Sequence, residues 1–83
     1  MRSDLIGKIE KAHRYAGERD RINIRDFNVD FRGEHGTYTT GYNGEKWHCA
    51  CNFFAKWETC SHVMAMQKIL GNMLPEEARS SFD

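Results

Sequence analysis

The chain has 83 residues, 12 Lys and Arg against 12 Asp and Glu, and is 40% hydrophobic and 12% aromatic. That composition is too apolar for a disordered segment, holds no apolar run of membrane-spanning length, and lacks the basic excess of a dedicated duplex-DNA binder. So short a chain builds one small core whose burial nearly cancels its ordering entropy, and a staple is expected.

Charges recur throughout residues 1–16 in place of an apolar leader, and the expectation is a soluble cytoplasmic protein. Ser3 is placed as an N-cap, and Leu5, Ile6, Ile9, Ala12 and Ala16 recur at helical spacing until Gly17, which predicts an amphipathic helix. Asp4 with Lys8 and Glu10 with Arg14 have i,i+4 ion-pair spacing, so its polar side reads as a solvated face. Residues 1–33 carry eight basic groups against six acidic ones, and the remainder four against six.

Beyond the charged linker 18–21 the period changes to two. Phe27, Val29 and Phe31 alternate with Asn28, Asp30 and Arg32, which predicts a strand with one buried face. Ile22 and Ile24 are out of phase with that set, and a bulge near Arg25 and Asp26 would reconcile them. A turn over 32–36 leads into a β-rich run at Thr37–Tyr42, then Asn43-Gly44 predicts a type I′ hairpin turn. A third strand over 45–51 would place Trp47, Cys49 and Cys51 on one face and His48 on the other. A second helix opens at Cys60-Ser61-His62, buries Val63, Met66, Ile69, Leu70 and Met73, and stops by Pro75. The expected fold class is α+β: an N-terminal helix and linker over 1–20, a finger domain over 21–75 built on a three-stranded antiparallel meander and a C-terminal helix, and a tail over 76–83 that nothing holds in order.

The chemistry lies in Cys49-x-Cys51, eight residues, Cys60-x-His62. Cysteines at i and i+2 on a strand share a face and make a two-thiolate claw. Cys60 and His62 cannot do the same within a helix, so Cys60 is placed just before its start and His62 in the first turn, where the helix dipole favours a thiolate. Three sulfurs and one imidazole match a tetrahedral zinc site with no position left for water or substrate, so one structural Zn2+ is expected, not a catalytic one. A disulfide is disfavoured by the odd count and by parallel side chains at i and i+2. A catalytic thiol paired with His62 or His48 lacks an orienting acid and an oxyanion loop. Unliganded buried cysteines fit the spacing poorly, and His48, the rival fourth ligand, points to the wrong face. His13 and His35 read as exposed or partly packed.

The spacing Cys49-Ala50-Cys51, eight residues, Cys60-Ser61-His62 resembles the C-x-C-x(n)-C-x-H signature of SWIM-type zinc fingers, over roughly residues 27–70. Trp47 before the first cysteine, Phe53-Phe54 after the second, and Val63 and Ala65 after the histidine add to the resemblance. The whole chain is similar to small stand-alone bacterial proteins that carry this finger behind a short helix. The resemblance implies a ββα layout, and binding of DNA or protein with no partner specified.

Phe53, Phe54, Lys56 and Trp57 crowd the segment between the ligand pairs, where a satellite core over the metal is the plain reading and a docking or base-stacking platform the functional one. The leading functional expectation is a non-catalytic protein-interaction module, supported by zero net charge. The alternative is nucleic-acid binding through Lys11, Arg14, Arg19, Arg21, Arg25 and Arg32 with Lys56 and Trp57. A redox-responsive switch that ejects the metal is a third. Neither a membrane nor a small-molecule substrate is expected.

Overall fold

A computed structural model describes residues 3–80; about 50% of them are helical and 19% lie in strands. Helix α1, Ser3–Ala16, begins with Ser3 as its first helical residue and ends where the Gly17 N–H bonds the Arg14 carbonyl at 3.1 Å. None of its residues is buried, and Leu5, Ile6 and Ile9 remain 50, 44 and 42% exposed. The apolar stripe therefore does not cover the sheet. A 3-10 turn, Arg19–Arg21, follows, closed by an Arg21 to Glu18 ion pair at 2.6 Å, with the Arg21 guanidinium 4.8 Å above the Tyr15 ring. Asp4–Lys8 and Glu10–Arg14, spaced for ion pairs in the sequence, are not at ion-pair distance.

The phase break before the first strand is not a bulge. Residues 22–26 lie outside the sheet, the Ile24 N–H bonds the Met73 carbonyl at 2.6 Å, and the Ile24 side chain packs on the cluster of Tyr42, Leu74 and Ala78. Strand β1, Phe27–Arg32, then alternates as its pattern predicts, with Phe27, Val29 and Phe31 inward. It pairs antiparallel with β2, Thr37–Tyr42, which pairs antiparallel with β3, Trp47–Cys49. The meander order is β1-β2-β3.

The hairpin between β2 and β3 departs from type I′. Gly44 has φ +99° while Asn43 does not enter the left-handed region, so Gly44 and Glu45 are the central pair and the pattern is type II′. Asn43 still organises the turn: its N–H bonds the Lys46 carbonyl at 3.1 Å, and its Oδ1 accepts the N–H groups of Glu45 and Lys46 at 2.9 and 2.8 Å.

Strand β3 stops at Cys49, short of the expected residue 51. Cys51 instead immediately precedes a helix, α2, Asn52–Trp57, so the spacer between the ligand pairs is largely helical and not a loop. Glu58 ends it in the left-handed conformation at φ 60°. Cys60 then precedes α3, Ser61–Leu70. Ile69, expected to be buried, is 58% exposed, because α3 presents the side that carries Val63 and Leu70 to the core and Ile69 lies off that side.

Two apolar clusters meet at Trp47. One joins Tyr42, Leu74 and Ala78 with Phe27 and Leu70, the other Cys51, Cys60 and Val63 with Tyr38 and Phe54, and Trp47 packs on both. The start of the tail belongs to this core. A 3-10 turn, Glu76–Ala78, follows Pro75, Ala78 is 1% exposed, and its carbonyl accepts both Trp47 Nε1–H and Gln67 Nε2–H at 3.1 Å. Among the described residues no helix is long and apolar enough to cross a membrane.

Candidate metal centre

Three elements deliver the four expected donors. Cys49 comes from β3 opposite Thr40, Cys51 from the position before α2, and Cys60 with His62 from the start of α3. Their ligand atoms all lie within 4.8 Å of one another, with His62 Nδ1 3.5 Å from Cys49 Sγ and 3.7 Å from Cys60 Sγ. A tetrahedral zinc ion with bonds of about 2.3 Å to sulfur and 2.0–2.1 Å to nitrogen requires edges of about 3.8 Å between sulfurs and about 3.6 Å from sulfur to nitrogen. The two S to N separations already match, and the widest pair needs to close by only about 1 Å. The group fits a metal ion of that size, and three thiols with one imidazole are a donor set that zinc takes.

The histidine is held by aromatic packing. Its ring packs on both Phe31 and Tyr38, each centroid 5.0 Å away, and these two residues are cross-strand partners on β1 and β2. The opposite ring edge abuts Gly33, where a Cβ would stand 2.8 Å from Nε2. In this packing Nδ1 faces the sulfurs. His48 lies on the other side of the sheet, with Nε2 2.8 Å from Asn28 Oδ1, and is not part of the cluster.

The thiols differ in electrostatics. Burial pushes the Cys60 thiol up to about 12, reinforced by Cys51 and Cys49, against the lowering effect of the Val63 and His62 N–H groups. Cys51 is also penalised by burial, yet its pKa falls below the usual value because the N–H groups of Phe54 and Phe53 and the neighbouring thiols favour its thiolate. Neither cysteine makes a standard capping hydrogen bond, so these N–H groups act as dipoles at the helix starts. Cys49 meets the Thr40 hydroxyl at 3.3 Å.

A cleft of about 420 Å3 opens on the cluster itself, lined by Cys51, Cys60 and His62 together with Tyr38, Phe53 and Met64 among others. Phe54 packs against the buried cysteines, as a satellite core would, whereas Phe53 and Trp57 are 55 and 60% exposed, 6.3 Å apart on one side of α2, with Lys56 Nζ 5.6 Å from the Trp57 ring. The other basic residues are not gathered at this site. Lys11 and Arg14 lie on α1, Arg19 and Arg21 in the following turn, Arg25 in the segment before β1 and Arg32 at the end of β1, all exposed. Sequence reasoning missed Gly33, Phe31 and Thr40, whose places beside the cluster depend on strand register and on the docking of α3. No model of a known protein family matches the chain, and no curated protein or solved structure does either.

Proposed function

We propose that this chain is a SWIM-type zinc finger, a non-catalytic module in which one structural Zn2+ ties β3 to the starts of α2 and α3, and that its role is to bind another protein. The observation that carries the metal reading is the convergence of four donors from three elements, which leaves no coordination position for water or substrate. Cys-x-Cys followed by Cys-x-His behind a meander supports the SWIM type. Thiolate ligands suit the reducing cytoplasm. The protein-partner reading is supported by α1, whose apolar stripe stays exposed along its length while the sheet is packed by other elements.

Elemental analysis of purified protein tests the metal: one zinc per chain is expected, lost on substituting Cys49, Cys51, Cys60 or His62 by Ser or Ala, and kept in His48→Ala. A chain that is fully ordered without metal and insensitive to chelator would overturn the reading. Affinity capture from lysate with and without nuclease tests the partner. Capture that survives nuclease supports a protein. Capture lost on nuclease treatment, with affinity falling steeply in salt, would move the assignment to nucleic acid bound through the exposed Phe53, Trp57 and Lys56.

A further inference from the structure

The three sulfurs do not draw on the same supply of hydrogen-bond donors. Cys51 and Cys60 each precede a helix, where backbone N–H groups without helical partners face the sulfur. Cys49 lies within a sheet. The N–H that follows it, that of Ala50, is committed to the Thr39 carbonyl at 3.1 Å. The polar group set against its sulfur is the hydroxyl of its cross-strand partner Thr40, at 3.3 Å, on a side chain with 0% exposure.

Three thiolates, a neutral imidazole and a divalent cation sum to one negative charge, and an anion taken partly out of water requires donors around it. A thiolate can only accept. With a thiol at Cys49 the Thr40 hydroxyl is free to direct its hydrogen at the Tyr38 carbonyl, 3.4 Å away; with a thiolate there, the one available hydrogen is needed at the sulfur. We infer that Thr40 is a positioning residue of the metal centre, whose hydroxyl turns from the Tyr38 carbonyl to Cys49 Sγ when metal is held and so gives the strand ligand the donor that helix starts give the other two. The inference rests on the reading of the four-donor group as a zinc site.

The test uses the full chain as wild type, Thr40→Val and Thr40→Ser. Val keeps the volume and removes the donor; Ser keeps the donor and removes the methyl. In competition with a chromophoric chelator, T40V should hold Zn2+ about 10 to 100-fold more weakly than wild type and T40S within about threefold. In the cobalt-loaded proteins the sulfur-to-metal charge-transfer band should move in T40V and stay in T40S. T40V within threefold of wild type, or T40S weakened as much as T40V, overturns the inference, the second because it assigns the loss to packing. Should T40V fail to fold in excess zinc, the wild type decides by NMR: loaded with 113Cd, the Thr40 hydroxyl proton should couple to the metal through Cys49 Sγ, and a hydroxyl with no coupling overturns the inference. Wild type that takes up no zinc overturns this inference and the zinc reading together, whereas zinc bound equally by wild type and T40V removes the role of Thr40 alone.

Discussion

The imidazole of His62 occupies the space in front of Gly33, so closely that a Cβ on that glycine would stand 2.8 Å from Nε2. Phe31 and Tyr38 also pack on the ring, each with its centroid 5.0 Å away, and limit where it can move. Gly33→Ala must therefore displace the imidazole toward the sulfurs or push the β1–β2 turn outward. We expect Gly33→Ala to weaken zinc binding by about tenfold or more, in the range of lost orienting contacts. Gly7→Ala is the matched control. A Cβ there meets nothing within 4 Å, so metal affinity should be unchanged and α1 should gain about 0.5–1 kcal/mol of helix propensity. Chelator competition and far-UV circular dichroism on the two variants read both effects.

Metal uptake should be steeply pH-dependent. Burial holds the Cys60 thiol at about 12, so in the metal-free fold it is protonated through the neutral range and an incoming ion must displace its proton. The sign follows: affinity rises with pH and falls as acid returns protons to the thiols. Without metal the raised Cys60 value acts oppositely on the fold, contributing stability below the ordinary thiol value and losing it as pH rises toward about 12. Adding Zn2+ to the reduced protein near neutral pH in weak buffer with an indicator dye should release about two to three protons per ion. Release of fewer than one would mean that the thiols are not the ligands.

Much of this centre was legible in the sequence because its cues are local. The Phe27, Val29, Phe31 alternation, the Asn43-Gly44 pair and the Cys and His spacing each act over a few residues, and each marked its element. The errors lie in the local details of the hairpin and the strand end, and where distant segments meet. Cys51 leaves the strand because the chain turns into α2 as soon as Ala50 has made its last bond to the sheet. Thr40 reads as one more threonine in a β-rich run until register sets it opposite Cys49. Ile24 reads as a residue displaced from the first strand by a bulge and Ala78 as tail, yet one bonds to Met73 and the other receives Trp47 across 31 residues of chain.

That last contact makes the tail testable. Ala78 is 1% exposed among Tyr42, Leu74 and Trp47, and its carbonyl accepts two side-chain N–H groups. Ala78→Asp would bury a carboxylate with no cation provided for it, at a cost of about 3 kcal/mol or more, a large share of the stability of so small a domain. Thermal unfolding of the zinc-loaded variant should begin many degrees below wild type. A melting temperature within about 2 °C of wild type would show that the segment after Pro75 is not part of the core.

The N-terminal helix supplies the opposite case. Leu5 and Ile9 lie on the exposed stripe of α1, which has no buried residue. Removing apolar surface that water already reaches costs little, so the double variant Leu5→Ser, Ile9→Ser should leave zinc content unchanged and shift the unfolding free energy of the finger by no more than about 0.5 kcal/mol. Its effect should fall on binding: capture of the nuclease-resistant partner should drop by about tenfold or more, as loss of apolar anchors does at an interface. Replacing Lys11 and Arg14 on the same helix by Gln should have little effect on that capture. If the charge variant abolishes capture and the apolar variant does not, the helix contacts its partner through the polar face, and the protein-docking role of the stripe is refuted.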